Sequence, residues 1–194
     1  AGFTWSRLWG ITRNPWNTNF TSGGSSGGSS ASLASGTSTI CTGSDIGGSI
    51  RIPASTCGLV GYKPPYGRNP EEAVFNLDFY CHTGPLARSV KDAIRLQNVM
   101  CGPSPKDIAT LRPKLVLPYE YQPIKDWKIA YSPNLGCFEV DPEVEKNTLA
   151  SLEVFKSLGA TIEEVDLGWG PEVLEAGLAY LGHIFGAAMH DELE

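Results

Sequence analysis

Apolar residues recur with a helical period in three parts of this chain and with a strand-like period in three others. Ser89 with Asp92 three residues on makes a capping-box-like start, and Val90, Ala93, Ile94, Gln97 and Met100 then mark one helical face that stops near Gly102-Pro103. Trp127-Lys128-Ile129-Ala130-Tyr131 alternates as a strand does. Asp141-Pro142 supplies an N-cap with proline at the first helical position. Val144, Thr148, Leu152, Phe155 and Leu158 follow at helical spacing and Gly159 ends the run. Thr161-Ile162-Glu163-Glu164-Val165 is the next strand, so this region reads as a βαβ unit with a parallel pair. A last helix is predicted from Pro171 onward through Val173, Leu174, Leu178, Leu181, Ile184 and Phe185.

The first hundred residues are patterned differently. Residues 1–22 hold Trp5, Trp9, Trp16 and Phe20 with no sustained period, and Asn14-Pro15-Trp16-Asn17 reads as a turn. We expect an irregular, partly buried segment whose aromatics pack in the core. Small residues from Ser29 to Gly36 predict two turns of helix, with Gly36 at the left-handed position after it. Thr37–Thr42 predicts a short strand, and the proline-rich residues 103–123 predict a connection.

Composition narrows the function. The 194 residues are 41% hydrophobic and 19% charged, a globular balance. A net charge of −6 without a basic cluster argues against a nucleic-acid partner. No apolar run reaches the roughly 20 residues of a membrane span. Five scattered cysteines without a C-x-x-C pair suit reduced thiols and a cytoplasmic protein. His82, His183 and His190 lack metal-ligand spacing, so neither a metal nor a cofactor is expected.

Candidate chemistry lies between Gly23 and Arg51. Ser25 stands in Gly23-Gly24-Ser25-Ser26-Gly27-Gly28-Ser29, and Ser49 follows Gly43-Ser44-Asp45-Ile46-Gly47-Gly48. A flexible linker would also be rich in Gly and Ser. A linker, however, is not followed by a helix stop, a strand and a second glycine cluster. Two side-chain-free residues before Ser49 let the backbone turn tightly and aim successive N–H groups into one space, as an oxyanion hole requires. Ser49 then needs a base to take its proton. A triad through His82 and Asp78 is one candidate, though no G-x-S-x-G elbow supports it.

These clusters, with Ser49-Ile50-Arg51-Ile52-Pro53-Ala54, Cys57-Gly58-Leu59-Val60-Gly61-Tyr62-Lys63-Pro64 and Gly84-Pro85-Leu86-Ala87-Arg88-Ser89-Val90, resemble the amidase signature family. The resemblance is dense from about Asn14 to Asp107 and thin beyond. It implies an α/β fold with a mixed, largely parallel central sheet covered by helices on both sides. It further implies a Ser–cis-Ser–Lys hydrolase of linear carboxylic amides. Ser49 matches the acyl-enzyme nucleophile, and Ser25 the bridging serine held by a cis bond after Gly24. The amides of Ile46, Gly47, Gly48 and Ser49 match the oxyanion hole. Asp45 and Arg51 match residues that hold the loop, and Ser26 and Ser44 match hydroxyls that support the relay.

No lysine precedes Ser25, and the first, Lys63, falls at a motif position the family does not use for catalysis. The resemblance therefore implies an interior piece of a longer enzyme, a single partial domain truncated at both ends. Residues 1–107 would be its signature core, and 108–194 a continuation holding the βαβ unit and a pocket-side helix. Its partners would be a small amide substrate and the remainder of the same chain, with a homodimer among the assemblies the sequence admits. Two other readings stay open. One is the glutaminase subunit of a tRNA-dependent amidotransferase, a branch that looks more like Ser-Ile-Arg-Gln-Pro where this chain has Ile52. The other is a non-catalytic scaffold that retains the loops. The 194-residue segment by itself is expected to hydrolyse amides at no enzyme-like rate; turnover by purified protein would overturn the assignment of an external lysine as base.

Overall fold

The computed structural model describes residues 2–72 and 75–190. It comprises two compact units, Ala1–Tyr119 and Glu120–Glu194. In the first unit β1 (Trp5–Ser6) and β2 (Gly10–Ile11) form a small antiparallel ribbon. Then come α1 (Gly27–Ala34), β3 (Ile40–Asp45), α2 (Arg51–Cys57), β4 (Val60–Gly61), β5 (His82–Ala87) and α3 (Val90–Met100). In the second unit β6 (Lys128–Tyr131), α4 (Pro142–Ser157) and β7 (Thr161–Glu164) are followed by α5 (Glu172–Ala188).

β5 is the middle strand of the three-stranded sheet β3-β5-β4. It pairs antiparallel with β3 from Ile40↔Ala87 to Asp45↔His82 and with β4 at Val60↔Ala87 and Gly61↔Leu86. The largely parallel central sheet that the resemblance implies is not seen among the described residues, where the parallel pairing is that of β6 with β7. The reason is topological. β3 and β4 do run the same way, but β5 enters between them in the opposite direction, so each hydrogen-bonded pair is antiparallel. The βαβ unit of residues 128–164 forms as expected, in register from Lys128↔Thr161 to Tyr131↔Glu164.

β5 hides from a sequence reading because Gly84 and Pro85 look like a turn. Proline contributes no N–H to a ladder, yet the Pro85 carbonyl still accepts from Tyr62 N–H at 3.0 Å. Gly84 is needed there, since any Cβ at that position would run into the Tyr62 carbonyl. The strand expected at 37–42 lies instead at 40–45. Thr37 and Ser38 are drawn into the end of α1, where Thr37 N–H and Oγ1–H donate to the Ser32 carbonyl at 3.0 and 3.1 Å and Ser38 N–H at 3.3 Å.

The core of the first unit is small and well placed. Leu33 from α1, Ile50 and Ala54 at the start of and within α2, and Leu86 of β5 are buried together, with Cys41 and Leu59 against them. Each large apolar side chain so buried is worth about 2 kcal/mol. The same contacts lock α1 and α2, and with them the loops that carry Ser25 and Ser49. Trp5, Trp9, Trp16 and Phe20, expected in the core, are exposed. Polar contacts hold their segment instead: Trp16 N–H donates to Asn14 Oδ1 at 3.0 Å, Asn14 Nδ2–H to the Thr56 carbonyl at 2.7 Å, and Trp16 Nε1–H to the Cys57 carbonyl at 2.8 Å. No helix among the described residues is long and apolar enough to cross a membrane.

Helix ends follow the sequence signals. Ser89 accepts from Asp92 N–H at 3.2 Å, and Asp141 from Glu143 N–H at 2.8 Å. Ser89→Ala is expected to cost about 1 kcal/mol of stability, read as a lower midpoint in urea denaturation; an unchanged midpoint would show that the cap adds nothing.

Candidate active site

Ser25 is exposed in the loop before α1, and Ser49 is half-buried in the loop between β3 and α2. The two loops meet: Ser26 N–H donates to the Ser49 carbonyl at 3.2 Å. The Gly24–Ser25 peptide is cis, as the resemblance implies. Among the described residues neither the Ser25 nor the Ser49 hydroxyl makes a hydrogen bond to the other. Ser26 and Ser44 tie the first loop to β3, since Ser26 Oγ accepts from Ser44 N–H at 3.3 Å and donates to the Ser44 carbonyl at 3.4 Å.

Asp45 organises the second loop. Its side chain is fully buried at the end of β3. Oδ1 accepts from Gly48 N–H at 2.7 Å, and Oδ2 from the Ile50 and Arg51 amides at 3.2 and 3.3 Å. The Arg51 guanidinium grips both oxygens at 2.9 Å, and Lys63 Nζ lies 3.2 Å from Oδ1. α2 has no cap from its own N-cap residue Ile50, so a carboxylate from the neighbouring strand satisfies its first amides. Burial alone would raise the Asp45 pKa, but the Arg51 guanidinium, the Gly48 N–H and the Lys63 ammonium outweigh it and hold the carboxyl far below the usual range.

That arrangement sorts the amides of the loop by their partners. The Gly48 N–H is already engaged by Asp45, so of the four amides it is the one turned away from a free role. Among the described residues the Ile46, Gly47 and Ser49 amides meet no protein acceptor. Gly48 has φ +121°, a conformation glycine tolerates and other residues rarely adopt.

The histidine alternative finds no support in the geometry. His82 Nε2 lies 3.1 Å from the Phe79 carbonyl, and Asp78 Oδ1 accepts the Tyr80 and Cys81 amides at 2.8 and 2.7 Å. Burial, then the Lys63 ammonium, press the His82 pKa below its ordinary 6.5, so the ring is neutral at neutral pH. Burial, with the Glu71 and Asp78 carboxylates, pushes the Cys81 thiol up to about 11, which leaves it a poor nucleophile.

Two residues escape a sequence reading. Thr4 Oγ1 accepts from Gly27 N–H at 3.0 Å and reaches the Gly23 and Ser25 carbonyls at 3.1 and 3.0 Å, so it clamps the Ser25 loop. Lys63 donates to the Ile46 carbonyl at 3.3 Å besides pairing with Asp45. The available signal for Lys63 was an ionisable residue inside the apolar run Leu59–Pro64, since a buried charge implies a buried counter-charge.

The Ser25 loop, the glycine-rich Ser49 loop bonded to it and the Asp45–Arg51 brace stand together in one site. The amidase family model matches residues 2–191, and the chain belongs to the amidase signature family. Among its relatives is an acylamidase of Rhodococcus erythropolis, 38% identical over 172 residues that cover 87% of this chain and 36% of that protein. The crystal structure of a bacterial aryl acylamidase of the amidase signature enzymes superposes with a TM-score of 0.90 at 36% identity, covering 98% of this chain and 40% of that one. The crystal structure of a glutamyl-tRNA(Gln) amidotransferase subunit from Thermotoga maritima superposes at 0.72 and 32% identity, covering 80% and 35%. The chain thus spans about a third of the length of the curated relatives it matches.

Asp45→Asn is expected to destabilise the protein by about 3 kcal/mol, chiefly because the largely buried Lys63 ammonium loses its counter-charge while the exposed Arg51 guanidinium is left to solvent. The sign of the pH effect follows from the depressed pKa. The stabilisation is complete above the ordinary carboxyl value of 3.8 and is lost as pH falls below it toward the folded value. An acid titration by near-ultraviolet circular dichroism should show a transition below about pH 4 that Asp45→Asn weakens.

Proposed function

We propose that this chain supplies the nucleophile half of an amide hydrolase. Ser49 attacks the carbonyl carbon of an acyl amide and its proton passes through Ser25 to a lysine outside these 194 residues. The tetrahedral oxyanion is held by the free amides of Ile46, Gly47 and Ser49. On collapse the proton returns through Ser25 to the leaving nitrogen, amine or ammonia departs, and Ser49 carries the acyl group until water releases the acid. Asp45 and Arg51 keep the loop in shape, and Ser26 and Ser44 anchor the Ser25 loop to β3. Lys63 is an unsuitable base in this scheme because its ammonium is committed to Asp45 and the Ile46 carbonyl.

The observation that carries the reading is the joining of the two serine loops: the amide of Ser26, the residue after Ser25, is bonded to the Ser49 carbonyl. Within the family, the fuller superposition of the aryl acylamidase and Ile52, where the amidotransferase branch carries glutamine, support an acyl-amide substrate. Amidotransferase subunits at 40–43% identity keep the glutaminase reading as the alternative. No nucleic-acid or membrane partner is needed, and the net charge of −6 agrees with that.

The test is fluorophosphonate labelling of the full-length protein, followed by peptide mapping. Label should sit on Ser49, vanish in Ser49→Ala and fall by about two orders of magnitude in Ser25→Ala, the scale of a lost proton relay. No label on a well-folded full-length protein would favour a scaffold that keeps the loops without the chemistry.

A further inference from the structure

We propose that Lys63 is a positioning residue that aims the Gly47 amide at the oxyanion, an inference that rests on the assignment of Ser49 as nucleophile. Lys63 lies two residues beyond β4, on the far side of β5 from Asp45, and its side chain is only 16% exposed. Its ammonium has two partners at the N-terminal end of the Ser49 loop. Nζ is 3.2 Å from Asp45 Oδ1 and donates to the Ile46 carbonyl at 3.3 Å. The Asp45 carboxylate, in turn, holds the C-terminal end of the loop through the Gly48, Ile50 and Arg51 amides. Asp45 alone leaves the Ile46–Gly47 peptide unheld.

The consequence follows from the geometry of a trans peptide. The carbonyl of Ile46 and the N–H of Gly47 belong to one plane and point in opposite directions. Holding the carbonyl on Lys63 therefore directs the Gly47 N–H away from it, where it meets no acceptor among the described residues. Gly47 follows that bond and Gly48 comes next, so side-chain sterics do little to stop the plane from rotating. Without Lys63 the Gly47 N–H spends part of its time facing elsewhere. A donor that is not preorganised contributes little to the transition state. The carbonyl of Ile46 is not itself a substrate contact; Lys63 acts through the peptide plane.

The experiment uses the full-length protein, an anilide substrate and a trifluoromethyl ketone, whose addition to serine creates the oxyanion. Lys63→Met should lower kcat about 100-fold, the scale of one lost oxyanion donor. KM should change little, and the affinity for the ketone should fall in parallel with kcat/KM. Lys63→Arg, which keeps a cationic donor, should restore most of the rate. A purely structural role would leave ketone affinity and KM moving together, and that result would overturn the proposal, as would an unchanged kcat in folded Lys63→Met. Because Lys63→Met leaves Asp45 short of a cation and can fail to fold, the same change is also made in Asp45→Asn, where no unpaired buried charge remains. There it should still lower kcat about tenfold relative to Asp45→Asn alone; no further loss would overturn the proposal. Wild-type protein unlabelled at Ser49 overturns the nucleophile assignment and this inference together, whereas a labelled, active wild type with indifferent Lys63 variants overturns this one alone.

Discussion

The buried carboxylate of Asp45 is the constraint on which the first unit depends. A carboxylate without water is costly, and here that cost is offset by three amides, a bidentate guanidinium and an ammonium. These partners come from three parts of the chain: the glycine loop, the first turn of α2, and the segment after β4. Satisfying one charge therefore fixes the loop, starts a helix that lacks its own cap, and ties the outer strands of the sheet at one end. A hydrophobic cluster of Leu33, Ile50, Ala54 and Leu86 supplies burial beneath it, but burial is non-directional. The orientation of the Ser49 loop comes from the charge.

The same arrangement separates the roles of the loop amides. An N–H already bonded to a carboxylate stabilises the ground-state loop, whereas an N–H without a protein acceptor is available to charge that develops later. Gly48 belongs to the first kind, whereas the Ile46, Gly47 and Ser49 amides meet no acceptor among the described residues. Rigid support for free donors is what preorganisation means in physical terms. The Ser25 loop is built on a different principle. It carries little charge and is held by hydroxyls and backbone, through Thr4, Ser26 and the close approach of the Phe3 backbone to Gly24.

The second unit shows how far local signals reach. Asp141, Pro142 and Gly159 bound α4 where the pattern places it, and β6 and β7 pair in parallel around it. Its apolar positions, among them Val144, Val154 and Leu158, are nevertheless exposed within the described residues, and α4 and α5 contain no buried residue. Periodicity reports which face of a helix is apolar; it does not report what covers that face.

What the sequence determined by itself was local or motif-borne. Caps, helix faces, the βαβ unit and the two glycine-flanked serines were legible because each depends on residue types a few positions apart, whereas Asp45 and Arg51 were marked only by their place in the family's motif. Tertiary structure alone decided the rest. β5 was hidden because Gly84 and Pro85 make a strand only when two neighbours pair with them. α2 was hidden because its cap comes from β3. The exposure of Trp9 and Trp16, the engagement of the Gly48 amide and the reach of Lys63 to Ile46 all depend on which distant groups arrive at the same place. A buried charge chooses its partners by distance in space, and that distance is set only when the sheet has assembled.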